Sequence, residues 1–171
     1  SLIFEERYMK MVNGDYLFLS LVAAITATFA ATIANGLNWP VWAMFVGWVA
    51  FFTGKDTFSG VLATFGCLAF GLIAGNLAGL AIGSMAPKIG FWAIAPVVFV
   101  VAFIVVSLRG LSVMNNITAY FLGLITFFAA HISPGISSTI SLVVVTALGL
   151  IAAYCTASLQ RKLTQRKTAV K

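Results

Sequence analysis

The chain has 171 residues, of which 61% are hydrophobic and only 8% are charged, and its formal net charge is +6. A soluble domain carries about 25% charged residues to keep its surface hydrated, so this composition excludes a water-soluble globular protein. It predicts instead a single transmembrane domain over residues 1–171, whose main partner is the lipid bilayer.

Uncharged intervals between the clustered Asp, Glu, Lys and Arg residues predict the membrane spans. These intervals cover residues 16–54, 57–87, 89–108 and 110–160. A helix needs about 20 apolar residues to cross a bilayer, so we divide the first and last intervals at turn signals that end at Pro40 and Gly135. The result is a predicted all-α fold of six transmembrane helices, covering about residues 16–36, 39–54, 57–85, 89–108, 114–131 and 136–159.

The basic residues are distributed unevenly between the two sides of the predicted bundle. If the N-terminus is inside, nine of the ten Lys and Arg residues fall in inner segments, and only Lys88 falls in an outer loop. Inner segments of membrane proteins carry this excess, so both termini are predicted to be cytoplasmic, with a basic tail over residues 160–171. Orientation in the membrane explains this tail better than nucleic-acid binding, and we expect no nucleic-acid partner. The nine inner residues are Arg7, Lys10, Lys55, Arg109, Arg161, Lys162, Arg166, Lys167 and Lys171.

Two short motifs recur in the same order in the two halves of the chain. Phe-x-Gly-x-x-x-Phe-Phe begins at Phe45 in predicted helix 2 and at Phe121 in predicted helix 5, and we call this displacement the first repeat offset. Gly-Leu-Ile-Ala begins at Gly71 in helix 3 and at Gly149 in helix 6, and this displacement is the second repeat offset. Because three helices separate the copies, the second half enters the membrane from the opposite side, which predicts an inverted repeat of the kind found in transporters. The alternative is a duplication that only built a stable bundle.

Predicted helix 3 carries Gly71, Gly75, Gly79 and Gly83 in steps of four residues. This spacing repeats along one face of a helix, and small residues on such a face let two helices pack closely in lipid. An intrachain neighbour is the favoured partner of this face, ahead of a subunit interface or a pore wall. Because a bundle of this size has little interior for a pore of its own, we also expect a homo-oligomer.

No Asp, Glu, Lys or Arg lies within a predicted span. Proton- and ion-coupled carriers usually hold ionisable groups at membrane depth, so this pattern favours passive movement of a neutral or weakly charged solute. The sequence also contains no nucleophile–base pair, metal-ligand cluster or phosphate-binding loop, and we expect neither an enzyme nor a bound cofactor or metal. The prediction is a small membrane channel or facilitator, and the alternative is a non-transporting scaffold or accessory subunit of a larger complex.

Polar and aromatic side chains at membrane depth are candidates for a substrate path. Asn116, Tyr120, Phe127 and His131 fall on one face of predicted helix 5, with polar groups at both ends and aromatic rings between them. Such a mixture suits a channel for a small polar molecule, and an aromatic packing stripe is an equally good interpretation. For Asn76 in helix 3, a hydrogen bond to a neighbouring helix is favoured over a role in the path.

The two repeated Phe–Phe pairs are candidates for constrictions of that path. In an inverted repeat, Phe51 and Phe52 lie near the inner membrane face, and Phe127 and Phe128 lie near the outer face. Each pair can then narrow one end of the path and exclude hydrated ions. The polar ends of the helix 5 stripe are expected at the two mouths.

Four segments of the chain resemble one known family. They are the Trp-Ala-Met-Phe-Val-Gly segment that leads to Phe52, the turn over residues 55–60, the Phe-Leu-Gly segment that leads to Phe128, and Ala-Leu-Gly-Leu-Ile at residues 147–151. Over about residues 18–160 the chain resembles the YcdZ-like family of bacterial inner-membrane proteins, known as domain of unknown function 1097. The resemblance implies a small multi-helix protein of the bacterial inner membrane, and it supplies no substrate, cofactor or catalytic residue.

Overall fold

The computed structural model describes residues 14–169, and within this range it contains six α-helices and no strand. The predicted all-α fold class is therefore confirmed. The basic residues Arg7 and Lys10, predicted to lie on the inner side, are outside the described residues, as are residues 170–171 at the end of the basic tail. The helices are α1 (Gly14–Gly36), α2 (Val41–Phe51), α3 (Phe58–Ile89), α4 (Ile94–Ser107), α5 (Ile117–Ala129) and α6 (Ile136–Ala169).

Within the described residues, three helical segments are long and apolar enough to cross a membrane, judged by length and composition: Tyr16–Gly36, Phe58–Gly110 and Ile136–Gln165. The apolar helices α2 and α5 are shorter. At a rise of 1.5 Å per residue, their 11 and 13 residues extend over about 17 Å and 20 Å, against a bilayer core of about 30 Å. The chain thus has the apolar helices of a membrane protein, and α2 and α5 are each the second helix of their half of the sequence.

Three helix ends differ most from the predicted bounds, while α2 ends at Phe51 instead of residue 54 and α5 begins at Ile117 instead of residue 114. α3 continues to Ile89 instead of ending at residue 85, and α4 begins at Ile94 instead of residue 89. Both differences follow from Gly90, whose positive φ of 59° lets the chain reverse before a short 3-10 turn leads into α4. α6 continues to Ala169 rather than ending at residue 159, because most residues of this segment have long side chains with good helix propensity.

The six helices pack as two three-helix units. The most extensive contacts join α3 to α5 and α2 to α6, while α1 packs on α6 and α4 packs on α3. We call α1, α2 and α6 the α2–α6 unit, and α3, α4 and α5 the α3–α5 unit. Each unit combines helices from both halves of the sequence, so the units are connected by two linkers, residues 52–57 and residues 130–135.

The core is built by α2, α3, α5 and α6. Its fully buried side chains include Met44, Leu68 and Tyr120. The helix α4 is peripheral, because only Val97 and Val105 of its residues are buried. The candidate functional residues are therefore positioned by the four core helices and by the two linkers between the units.

Candidate functional site

The contact between α2 and α6 depends on two glycines. A Cβ atom placed on Gly47 would overlap the backbone carbonyl of Thr146, and one placed on Gly149 would overlap the backbone carbonyl of Met44. Only glycine allows two helix backbones to come this close. The helix pair is therefore held by direct backbone packing.

The contact between α3 and α5 has the same construction. A Cβ atom placed on Gly71 would overlap the backbone carbonyl of Tyr120, and one placed on Gly123 would overlap the backbone carbonyl of Leu68. The backbones of α3 and α5 are thus also too close to admit a Cβ atom between them, and the same lack of a side chain permits this contact.

The glycine face predicted on helix 3 lies against α5 and the linker that follows it. Gly71, the first glycine of this face, meets the α5 backbone. At the next two glycines, a Cβ atom on Gly75 would lie 2.7 Å from Phe127 Cβ, and one on Gly79 would lie 2.8 Å from Pro134 Cγ. No atom of the described residues lies within 4 Å of the Cβ position of Gly83. This face therefore contacts intrachain neighbours at its first three glycines and is open at the fourth.

Asn116 joins the beginning of α5 to the end of α2. Its Oδ1 atom accepts a hydrogen bond from the Ala119 N–H at 3.1 Å and so caps α5. Its Nδ2 atom donates to Thr53 Oγ1 at 2.8 Å and to Thr64 Oγ1 at 3.4 Å. Because Thr53 lies in the linker after α2, Asn116 bonds the α3–α5 unit to the first linker.

Asn76 makes a comparable bond at the second linker. Its Oδ1 atom accepts a hydrogen bond from the Gly135 N–H at 2.7 Å, and Gly135 directly precedes α6. Along α3, Asn76 lies about 18 Å from Thr64, the α3 partner of Asn116, at 1.5 Å per residue. The α3–α5 unit is therefore bonded to both linkers, at two well separated levels of the bundle.

The middle of the predicted helix 5 stripe faces α3. Tyr120 is buried, its ring lies edge to face with that of Phe70 at 5.5 Å, and its hydroxyl donates to the Met114 carbonyl at 3.0 Å. Phe127 is also buried and contacts the α3 glycines. His131 follows the end of α5 and is exposed. The structure thus brings Tyr120 and Phe127 together with α3 and places His131 at the surface.

The two Phe–Phe pairs occupy similar environments at the ends of α2 and α5. Phe51 and Phe127 are buried, whereas Phe52 and Phe128 are 70% and 44% exposed. The ring centroids lie 5.2 Å apart in the first pair and 5.6 Å apart in the second, and both pairs are edge to face. Each pair therefore has one ring in the core and one ring at the surface.

A pocket of about 570 Å³ lies beside the C-terminal end of α2, and we call it the linker pocket. Its wall includes an ion pair, because Arg161 Nη1 lies 2.8 Å from Asp56 Oδ2 and also donates to the Asp56 carbonyl at 2.9 Å. No sequence pattern predicted this pocket, since Asp56 and Arg161 are 105 residues apart. Other lining residues come from α2, the first linker and α6, and include Phe51, Phe52, Gly54, Ala157 and Gln160.

The polar groups that the structure brings together are amides, hydroxyls and the Asp56–Arg161 ion pair. Within residues 14–169, no group of three or more His, Cys, Asp or Glu side chains is placed to hold a metal ion. The amides, hydroxyls and the ion pair can donate and accept hydrogen bonds, next to aromatic rings.

A family model matches most of the chain. The family is described as protein of unknown function (DUF1097), and the match covers residues 17–160. No curated protein and no solved structure matches the chain. The matched range contains both linkers and the four glycines of the two close helix contacts.

Proposed function

Because the chain belongs to the DUF1097 family, whose function is unknown, we propose a function from its geometry. The protein is a membrane facilitator that passes a compact, neutral or weakly charged solute. In this proposal all six helices cross the membrane, and α1–α3 and α4–α6 form inverted halves. Both termini are cytoplasmic, and the membrane is the bacterial inner membrane.

The positions at which the helices begin support the repeat. α2 and α5 begin at Val41 and Ile117, which are separated by the first repeat offset, the one that relates the Phe-Gly-Phe-Phe motifs. α3 and α6 begin at Phe58 and Ile136, which are separated by the second repeat offset, the one that relates the Gly-Leu-Ile-Ala motifs. The offsets therefore relate whole helices as well as short motifs.

The observation that carries the proposal is an exchange of glycine contacts between the halves. The repeat offsets convert Gly47 into Gly123 and Thr146 into Leu68. The Gly47–Thr146 contact of α2 and α6 thus becomes the Gly123–Leu68 contact of α5 and α3, and both contacts occur. The second glycine contact of α2 and α6 becomes the second glycine contact of α3 and α5 in the same way. A two-fold relation between the halves explains this agreement.

Such a two-fold relation supports transport, because it gives the two sides of the membrane equivalent structures. The short helices α2 and α5 have corresponding positions, and in inverted-repeat transporters such helices point to the substrate site. The two units are connected by two linkers, and Asn116 and Asn76 each bond one of them. In the proposed cycle the units tilt against each other, and breaking one of these bonds opens one membrane face.

Stopped-flow light scattering with proteoliposomes tests this function. Vesicles containing the full-length protein are exposed to gradients of urea, acetamide or glycerol, and the scattering signal reports solute entry. We expect at least one solute to enter faster than it enters protein-free vesicles. Equal rates for all three solutes would count against a facilitator.

A cross-linked variant is the matched control for motion between the units. Thr53→Cys and Asn116→Cys are introduced after Cys67 and Cys155 are replaced by Ser, and a short cleavable thiol reagent then joins the new thiols. We expect the cross-link to abolish the added flux and its cleavage to restore it, because the linker can no longer leave α5. Flux that persists in the cross-linked protein would show that this motion is not required.

A non-transporting scaffold or accessory subunit is the second candidate. The amides of Asn76 and Asn116 and the hydroxyl of Tyr120 all bond to groups of the chain itself, which suits a static bundle. Exposed rings on α4, Phe99 at 72% and Phe103 at 68%, support contact with lipid or with a second copy in the homo-oligomer expected from the sequence. Absence of flux together with a stoichiometric complex in native membranes would favour the scaffold.

A further inference from the structure

The proposed repeat relates the linker pocket to a region near the second linker, and the two regions differ in structure. The offsets relate three of its lining residues to three residues near the second linker, namely Phe51 to Phe127, Asp56 to Pro134 and Ala157 to Gly79. At that end, Pro134 Cγ and Phe127 Cε1 lie 2.8 Å and 3.2 Å from the Cβ position of Gly79. The two places are thus related in sequence and each contains a phenylalanine, but Pro134 packs at the second place where the first has Asp56 beside an open pocket.

The wall of the linker pocket presents hydrogen-bond donors and acceptors side by side. The guanidinium of Arg161 and the carboxylate of Asp56 are paired at 2.8 Å, and both side chains are about half exposed. Because the two charges balance, the wall favours neither a cation nor an anion. The guanidinium has five N–H donors and the carboxylate has two acceptor oxygens, so both can still bond a solute. A neutral amide matches this wall, since its N–H can donate to the carboxylate and its carbonyl can accept from the guanidinium.

Two aromatic rings are among the groups that line the linker pocket. The rings of Phe51 and Phe52 meet edge to face at 5.2 Å, and Phe51 also lies 6.4 Å from the ring of Tyr154. Aromatic rings offer a flat apolar solute a large contact area, and small-molecule sites have volumes of roughly 300–1,000 Å³. We propose that the linker pocket is the inward-facing solute site and binds a compact, planar, neutral amide, an inference that rests on the proposed facilitator function.

Gly54 connects the linker pocket to the boundary between the two units. It lines the pocket, and its Cβ position lies 3.6 Å from Asn116 Nδ2 and in contact with the Thr64 hydroxyl. Asn116 in turn bonds Thr53 in the same linker. A solute in the pocket therefore lies next to the hydrogen bond that opens in the proposed cycle, so binding and opening are coupled through the linker.

Three probes of similar shape and different charge test this assignment on the purified full-length protein. Benzamide is neutral, benzoate is an anion and benzylammonium is a cation, and titrations followed by saturation-transfer NMR give their affinities. We expect benzamide to bind more tightly than either ion. Tighter binding of benzoate or benzylammonium would overturn the neutral-amide assignment.

Variants of the pocket locate the binding site. Arg161→Gln and Asp56→Asn each remove one half of the wall and should weaken benzamide binding about ten-fold, the effect of losing a hydrogen bond to a charged group. Phe52→Ala should also weaken binding. Because this ring is exposed and lies outside the core, the variant should fold, and it tests the site even if a charge variant does not fold. Lys162→Gln changes an exposed charge next to Arg161 and should leave binding unchanged. Benzamide binding that survives all three pocket variants would overturn the site.

The flux assay separates this inference from the proposed function. Benzamide binding that depends on the pocket, without flux of any solute, would keep the site and refute the facilitator. Solute flux that is unchanged in folded Arg161→Gln, Asp56→Asn and Phe52→Ala proteins would keep the facilitator and refute the site.

Discussion

Adding one methyl group at the close helix contacts tests the backbone packing of both units. Gly47→Ala places a Cβ atom on the carbonyl of Thr146, and Gly123→Ala places one on the carbonyl of Leu68. Gly83→Ala is the matched control, because this position in α3 has no atom of the described residues within 4 Å. The first two variants are equivalent under the proposed repeat, and the control makes the same chemical change in open space.

The magnitudes follow from these contacts. A carbon atom and a carbonyl oxygen approach to about 3.3 Å, so each helix pair must separate by on the order of 1 Å to admit the methyl group. Overpacking of this kind costs about 1–3 kcal/mol of the free energy of unfolding. In the control, replacing a helical glycine by alanine stabilises the helix by up to about 1 kcal/mol. The contact variants receive the same gain in helix propensity, so the overpacking cost alone should make them less stable than the control by about 1–3 kcal/mol.

Reversible unfolding in detergent micelles, followed by circular dichroism, measures these differences. We expect similar losses for Gly47→Ala and Gly123→Ala, and no loss for Gly83→Ala. If Gly47→Ala is as stable as Gly83→Ala, the close packing of α2 on α6 is wrong. If the two contact variants are both destabilised but by very different amounts, the equivalence of the two halves is contradicted.

Three further variants test the polar bonds and the exposed rings. Asn116→Ala removes the cap of α5 and the bond to the first linker, and should cost about 1–3 kcal/mol in the same unfolding assay, whereas the exposed control Asn115→Ala should cost less than about 0.5 kcal/mol. Tyr120→Phe removes one buried hydrogen bond and should cost about 1 kcal/mol; an unchanged stability would show that this bond contributes nothing. Phe52→Ala combined with Phe128→Ala should speed solute entry and loosen selectivity in the flux assay, because the predicted constrictions become wider, and unchanged entry would contradict this predicted role.

The beginnings of several helices could be predicted from sequence because local backbone chemistry decides them. Pro40 and Gly135 directly precede α2 and α6, where the turn signals put the helix starts. Helix ends were harder to predict. The continuation of α3 past residue 85 depends on where Gly90 reverses the chain, and the continuation of α6 depends on polar residues that are compatible with both a helix and a tail.

The pairing of helices could not be predicted, because it depends on contacts between distant parts of the chain. The spacing of the helix 3 glycines predicted a close contact, but it contains no information about the carbonyl of Tyr120 that Gly71 meets. For the same reason the sequence identifies Arg161 only as one of the orienting basic residues. Its ion pair with Asp56, and with it the linker pocket, exists only once α6 packs beside the first linker.

The linker pocket is lined by a charged pair, whereas the corresponding region near the second linker is apolar. In a facilitator with two-fold related halves, this difference should make solute binding unequal on the two sides of the membrane. In the proposed cycle the halves exchange conformations, so that the linker pocket would close and the space around Phe127 would open. This space has Pro134 and Gly79 where the linker pocket has Asp56 and Ala157. An amide then meets a charged pair at the inner end and an apolar surface at the outer end, so its affinity is higher inside. A passive facilitator cannot change the equilibrium between the two sides, so tighter binding at the inner end must be balanced by a lower maximal rate from that side. Efflux should therefore reach half-saturation at a lower solute concentration than influx, with a proportionally lower maximal rate, and Asp56→Asn should reduce this asymmetry.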